Sequence, residues 1–284
     1  MISESEIKAL VQLLDDDDPE VITHVEGKIM SAGTSIIPLL EMEWESTFNP
    51  LIQERIEDLV HELQFELLQE RFLIWKETGA SHLLEGLWIA ATYQYPDLEL
   101  EVLVTQMEQM YHEVWRQMRE KMNPKDQVKV FNDVFFNQFQ FRPNTKNFHS
   151  PANSMINLVL ETKKGNPIAL CSVYLLLAQK MNLPIFGVNL PNLFILTYKL
   201  TDTDAFYINV FNRGLIFTKE DIDNYLENLQ LQKQDFFYEP CTNLDIVLRT
   251  LRNLIISFEK LGDYDKADEI KTILQKMDDQ YFSL

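Results

Sequence analysis

The chain has 284 residues, enough for two or three domains with hydrophobic cores, and its 46% hydrophobic and 24% charged residues are ordinary for a globular protein. A formal net charge of −19 sets it against phosphate backbones and anionic membrane surfaces, so neither nucleic acid nor membrane is an expected partner. Eight glycines argue against a loop-rich all-β fold, and two cysteines, Cys171 and Cys241, do not make a disulfide framework.

The chain opens on Met1-Ile2-Ser3-Glu4-Ser5-Glu6, which is acidic and lacks a signal-peptide pattern. No apolar run is long enough to span a bilayer; the stretch 173–177 gives way to Gln179 and Lys180. The expected setting is reducing and cytoplasmic. Residues 1 to about 140 read as helices. Ile7, Leu10, Val11 and Leu14 recur at helical spacing, and the acidic run 15–18 followed by Pro19-Glu20-Val21 reads as a capped, solvated helix start. That run lacks the alternating ligands, turn glycine and terminal glutamate of a calcium loop. Gly33 ends the second helix, and Ile36-Ile37-Pro38-Leu39-Leu40 begins another apolar piece; together these resemble one HEAT-type helical repeat. Helices are predicted over 51–72, 83–93 and 98–122, with breaks at Tyr95-Pro96-Asp97 and at Pro124. The run 128–141 carries Phe131, Phe135, Phe136, Phe139 and Phe141 and is read as core.

The polar stretch 142–151 reads as a linker. A short helix over 154–162 and an apolar helix over 167–181 follow, the second opened by the turn, Asn cap and first-position proline of Gly165-Asn166-Pro167. One glycine there cannot supply the amide nest of a phosphate loop. Lys163-Lys164 just before it reads as a solvated pair or as a contact for an acidic partner. Strands are predicted over 185–190, 194–199 and 205–211, with Thr201-Asp202-Thr203-Asp204 as a turn. Thr218-Lys219-Glu220-Asp221 starts a helix that runs to 229. The tail, 244–277, is two helices broken at Gly262-Asp263-Tyr264, and resembles part of a tetratricopeptide repeat.

Four motifs stand in order between 153 and 214: Asn153-Ser154, then Leu160-Glu161-Thr162-Lys163-Lys164-Gly165-Asn166-Pro167, then Gly187-Val188-Asn189-Leu190-Pro191-Asn192-Leu193-Phe194, then Ile208-Asn209-Val210-Phe211-Asn212-Arg213-Gly214. They resemble bacterial SirB-type proteins of the transglutaminase-like superfamily. The resemblance implies an α+β, mostly helical fold. Its parts would be a helical region over 1–145 with a HEAT-like start, a transglutaminase-like (cysteine-protease-like) core with a small antiparallel sheet over 146–240, and a tetratricopeptide-like helical hairpin over 241–284.

In catalytic members a cysteine near the start of the central helix is the nucleophile, a histidine on the next strand its base, and an aspartate on the following strand the group that orients the histidine. A thiol with a pKa of about 8.5 is mostly protonated near neutrality, so the imidazole is what makes the thiolate. Here the resemblance puts Cys171 on the central helix, in its second turn, where the helix dipole acts weakly. It puts Leu193 at the base position, where the motif Pro-Gly-His-Phe reads Pro191-Asn192-Leu193-Phe194, and Asn209 at the acid position. No histidine follows His149. Read by itself, Cys171 is a small buried apolar residue sharing a helix face with Tyr174, Ala178 and Met181, and His149 is a solvated linker residue. His24, His61, His82 and His112 have no metal-site spacing, and His61-Glu62 lacks the second histidine of a helical zinc motif. No cofactor or metal is expected. The expected function is a non-catalytic protein-interaction or regulatory role on a degenerate core, with a protein partner. The alternatives are a thiol hydrolase, acyltransferase or protease using Cys171 with a non-standard base, and a small-ligand site in the old cleft.

Overall fold

The computed structural model describes residues 3–201 and 204–278. Its contacts fall into two compact units, Met1–Arg71 and Phe72–Leu284. The boundaries expected near 145 and 240 both lie inside the second unit.

The first unit holds α1 (Glu4–Gln12), α2 (Pro19–Met30), α3 (Ile37–Ser46) and most of α4 (Pro50–Glu77). Ser3 caps α1 by accepting the Glu6 N–H at 3.3 Å, and Asp18 caps α2 by accepting the Glu20 N–H at 2.9 Å, with Pro19 in the first helical position. The acidic run is thus a helix start. Its core is the helical stripe read from the sequence, Ile7, Leu10, Val11 and Leu14, closed by Val25, Ile29, Leu40, Ile56 and Leu59. Helix α4 outlasts its predicted end at 72. Trp75 continues the buried face, and the stop is Gly79 at φ +89°, the left-handed conformation that glycine adopts without steric cost.

The second unit contains α5 (Leu83–Thr92), α6 (Leu100–Gln117), α7 (Pro124–Asn132), α8 (Ile156–Thr162), α9 (Pro167–Lys180), α10 (Lys219–Asn228), α11 (Asn243–Leu261) and α12 (Tyr264–Met277). Strands β1 (Arg142–Pro143) and β2 (Lys164–Gly165) form a short parallel pair. Strands β3 (Ile185–Leu190), β4 (Leu193–Lys199), β5 (Ala205–Asn209) and β6 (Leu215–Phe217) form an antiparallel sheet in that order. The fold is therefore mostly helical with one small antiparallel sheet. Among the described residues, no helix is long and apolar enough to cross a membrane.

Several boundaries differ from the sequence reading. Pro124 is the first residue of α7, behind Asn123, whose side chain accepts the Asp126 N–H at 2.9 Å, so it starts a helix as well as ending the preceding segment. The aromatic run continues from α7 into a π-helical segment, Asp133–Gln138, which turns Phe131, Phe135, Phe136 and Phe141 inward. The rings of Phe135 and Phe141 stack at 4.4 Å, and Phe131 meets Tyr174 at 4.2 Å. The predicted strand 205–211 stops at Asn209, because the Asn209 side chain accepts the Asn212 N–H at 3.0 Å and turns the chain into the 3-10 segment Val210–Asn212. Strand β6 has three residues, too few to show an alternation. Of the expected turn at 201–204, Asp202 and Thr203 lie outside the described residues; around it the Leu200 N–H donates to Asp204 O at 2.8 Å.

The two faces of the sheet are covered differently. Val188, Leu190, Ile195 and Tyr207 pack under Ile222 and Leu226 of α10 and Phe237. The opposite face carries α9, which packs on β3 and β4 and also against α6, α8 and α11. Ten of the fourteen residues of α9 are buried, so it is apolar all round, the pattern of a helix with no solvent side. Each large apolar side chain buried in this way contributes about 1.5–3 kcal/mol. The Asn166 cap makes two bonds at the head of the helix: its Oδ1 accepts the Ala169 N–H at 3.0 Å, and its Nδ2 donates to Ser154 Oγ at 2.8 Å. At the C-terminal end of the unit, Gly262 at φ +81° ends α11, and the pairs Lys271–Glu259 at 2.9 Å and Arg252–Asp278 at 2.5 Å register α12 antiparallel against it.

Gly86 lies in α5 where a Cβ would sit 2.6 Å from Trp75 Cζ2 and 2.8 Å from Val247 Cγ2. The Trp75 indole is pinned by its N–H bond to His82 O at 3.0 Å and cannot swing away. Alanine would gain about 0.5–1 kcal/mol of helix propensity, whereas overpacking costs about 1–3 kcal/mol. Gly86→Ala is therefore expected to lower the midpoint of chemical denaturation; a raised midpoint would show that α5 can move away. Asn166→Ala is expected to cost about 1–2 kcal/mol through loss of the cap, and Asn166→Ser less, since a serine oxygen can still accept the Ala169 N–H. Equal stability of the alanine variant and the parent in urea titrations would refute this account of the α9 head.

Candidate functional site

The three positions named from the family motifs do not converge. Cys171 lies five residues beyond the Asn166 cap, in the second turn of α9, and is fully buried. Its S–H donates to Phe194 O at 3.4 Å. Burial pushes its thiol far above the ordinary value; the Val210 backbone N–H and the charge of Arg249 favour the thiolate but lose to desolvation. The thiol thus lies beside the backbone of residues adjacent to Leu193 and Asn209, but not beside their side chains. Alternation along β4 turns Leu193 to the face opposite Phe194, where it packs with the cluster under α10. Asn209 shares that face with Tyr207 by the same alternation and caps the turn after β5. A histidine in the backbone setting of Leu193 would enter the α10 cluster and not meet the thiol.

The tight turn of the β3–β4 hairpin does follow the motif. Asn192, in the glycine position of Pro-Gly-His-Phe, has φ +56°, a conformation asparagine tolerates better than most residues.

An open cleft of about 630 Å³ lies where this turn, the head of α9 and one stripe of α11 meet. Asn166, Pro167 and Ile168 form one wall; Asn189, Leu190, Pro191, Asn192 and Phe194 form the second. The third is Arg249, Arg252, Asn253, Ile256 and Ser257, at the spacing of a single helical face, and Phe148, His149, Phe236 and Phe237 complete the rim. Cys171 is not among the walls. No wall residue is acidic, in a chain with 44 Asp and Glu against 25 Lys and Arg.

Arg249 joins the cleft to the core. Its Nη1 donates to Asn189 Oδ1 and, at 2.8 Å, to Leu190 O, and its guanidinium lies 5.7 Å from the centre of the Phe194 ring. Arg252, one turn on, is ion-paired with Asp278. The linker over the cleft is tied down by an asparagine ladder. Asn144 donates to Asn153 Oδ1 at 2.8 Å; Asn153 donates to the carbonyls of Asn147 at 2.7 Å and Phe148 at 3.0 Å; and the Asn166 N–H donates to Asn153 O at 3.2 Å. His149 is therefore held at the mouth of the cleft. It is exposed, as expected, with its ring 5.3 Å from that of Phe148. Lys163 departs from its reading as a solvated side chain: it caps α8 at φ +58°, lies 5.0 Å over the Phe141 ring, and burial lowers its pKa.

Cys241, half-buried in the loop before α11, has its thiol pushed up to about 12 by burial and then by the charge of Asp245. Among the described residues, no three His, Cys, Asp or Glu side chains are grouped as a metal site. The residues that sequence reasoning did not single out are Arg249, Arg252 and the aromatic rim. The available signal was the 249, 252, 253, 256, 257 stripe on α11, two arginines on one face in a strongly acidic chain.

The family model for the transglutaminase-like superfamily matches residues 101–252, from within α6 to within α11, a wider span than the core expected at 146–240. A UPF0162 protein of Xylella fastidiosa (strain 9a5c) is 26% identical over 187 residues, covering 63% of this chain and 66% of that protein. A UPF0162 protein of Vibrio cholerae is 24% identical over 141 residues, 50% and 52% of the two chains. Human F-box only protein 21 is 24% identical over 164 residues, 55% of this chain but 25% of that protein. The chain thus spans between about half and two thirds of the length of these bacterial relatives. No solved structure matches it. With the match covering more than half of its residues, and the central helix, hairpin and sheet in place, the chain belongs to the transglutaminase-like superfamily, alongside the SirB-type bacterial proteins.

Proposed function

We propose that this protein is a non-catalytic interaction protein that binds a protein partner on a degenerate transglutaminase-like core. One observation carries the reading: Cys171 is sealed between α9 and the sheet, hydrogen-bonded to a backbone carbonyl, and absent from the walls of the cleft. A buried thiol of raised pKa is a poor nucleophile, and the motif positions Leu193 and Asn209 supply no imidazole. The cleft is open beside it and of a size that holds ligands, so binding fits the site better than acyl transfer.

Other features support the same reading. A similar region makes up a quarter of the much longer F-box only protein 21, as suits a module that works within a larger assembly. The α11–α12 hairpin resembles part of a tetratricopeptide repeat and the first helices a HEAT-type repeat, and both offer further surfaces for protein contacts. Two unpaired cysteines suit a reducing cytoplasm.

The test is the rate at which iodoacetamide labels each cysteine in the folded protein, followed by peptide mass spectrometry. Both thiols are expected to react far more slowly than free cysteine near neutral pH, Cys171 more slowly than Cys241, and both at full rate in denaturant. Because both thiols are held above the ordinary range, raising the pH to 9 should leave the folded protein largely unlabelled. Fast, selective labelling of Cys171 near neutrality would overturn the non-catalytic reading in favour of a thiol enzyme.

A further inference from the structure

We infer that the cleft is a receptor for a peptide segment that presents a carboxylate beside an apolar side chain, with Arg249 as the carboxylate anchor and Phe148, Phe236 and Ile256 as the apolar seat. This inference rests on the binding role proposed above and names its ligand chemistry.

The first observation is a charge without a counter-charge. Arg249 is half-buried, yet its hydrogen-bond acceptors are an amide oxygen and a backbone carbonyl, and its other contact is the face of an aromatic ring. The ionisable neighbours that bear on it are Cys171, Cys241 and Tyr225, all held neutral by raised pKa, and the like-charged Arg252. A cation partly out of water and facing no anion leaves a strong site for one, because the desolvation cost is already incurred in the folded protein. Arg252 is neutralised by Asp278, so Arg249 is the cleft cation with charge to offer. One nitrogen of the guanidinium, Nη1, donates to both acceptors, while Nη2 and Nε have no hydrogen bond among the described residues. That fork matches the two oxygens of a carboxylate.

The second observation is apolar surface in the same place. Phe148, Phe236 and Ile256 are 46%, 56% and 46% exposed, and all three line the cleft. The Phe148 backbone is held by the Asn153 bond to its carbonyl, and the Phe236 ring packs against Phe237 at 4.2 Å, so both aromatics are anchored at the cleft. The third is the amide lining. Asn189, Asn192 and Asn253 offer donors and acceptors suited to a peptide backbone, and a wall without acidic residues spares an incoming carboxylate the repulsion it would meet on the rest of a −19 surface.

The experiment titrates the full chain, labelled with nitrogen-15, with acetyl-Gly-Leu-Phe carrying a free carboxylate, and in parallel with the same peptide amidated at its C-terminus. The acid is expected to bind roughly tenfold or more tightly than the amide, as suits a charge-assisted bond, with shifts at α11 and the 189–192 turn. The preference should vanish in Arg249→Gln and recover in part in Arg249→Lys, while Arg116→Gln, outside the cleft, changes nothing. The acid–amide comparison in the parent protein stands even if an Arg249 variant folds poorly. Equal affinity for acid and amide, binding mapped elsewhere, or no binding of either at millimolar peptide overturns this inference and leaves the non-catalytic reading to the thiol-labelling result. Conversion of the peptide amide to the acid, seen by mass spectrometry, overturns the non-catalytic reading instead.

Discussion

The second unit is organised around a helix that has no face for water. With ten of its fourteen residues buried, α9 must be enclosed on every side, and the sheet, α6, α8 and α11 are the elements that enclose it. Such a helix has only its ends free for polar contact. Asn166 resolves the N-terminal end by satisfying the Ala169 N–H and holding Ser154, and that same residue opens the wall of the cleft. The position of the cleft is therefore a consequence of how a fully buried helix begins.

The same enclosure decides the chemistry. A thiol in the second turn of a helix surrounded by side chains is desolvated whatever its neighbours, and the nearby Val210 amide and Arg249 do not offset that. The buried thiol stays neutral, and the charge that lines the cleft is the cationic guanidinium of Arg249. The polar groups of the cleft are accordingly supplied by the head of α9, the strand turn and α11.

How much of this was legible depends on how local each signal is. The head of α9 was readable because Gly165-Asn166-Pro167 is a contiguous start signal. The strands of the hairpin were readable because short apolar runs rich in β-branched and aromatic residues stand between turn residues, and the early core because Ile7, Leu10, Val11 and Leu14 repeat within one helix. Strand β6 was too short to show its period, and the end of α4 was set by Gly79 and not by the apolar run. The facing of Leu193 was in principle readable by counting from Phe194, yet a family motif aligns positions without saying which way a side chain points. The contact of Arg249 with Asn189 was out of reach: it spans sixty residues, and nothing near either announces the other.

Helix α11 has two allegiances. Leu248, Leu251, Leu254 and Phe258 are buried in the core, while Arg249, Arg252, Asn253 and Ile256 form a wall of the cleft. Any binding in the cleft would thus be thermodynamically linked to folding, since the surface an occupant would grip exists only when the core side of the same helix is packed. By mass action, an occupant at a hundred times its dissociation constant adds about 2.7 kcal/mol to the free energy of unfolding, a sizeable fraction of a typical domain's stability. On the binding role proposed above, a filled cleft would lengthen the protein's cellular lifetime and an empty one would shorten it.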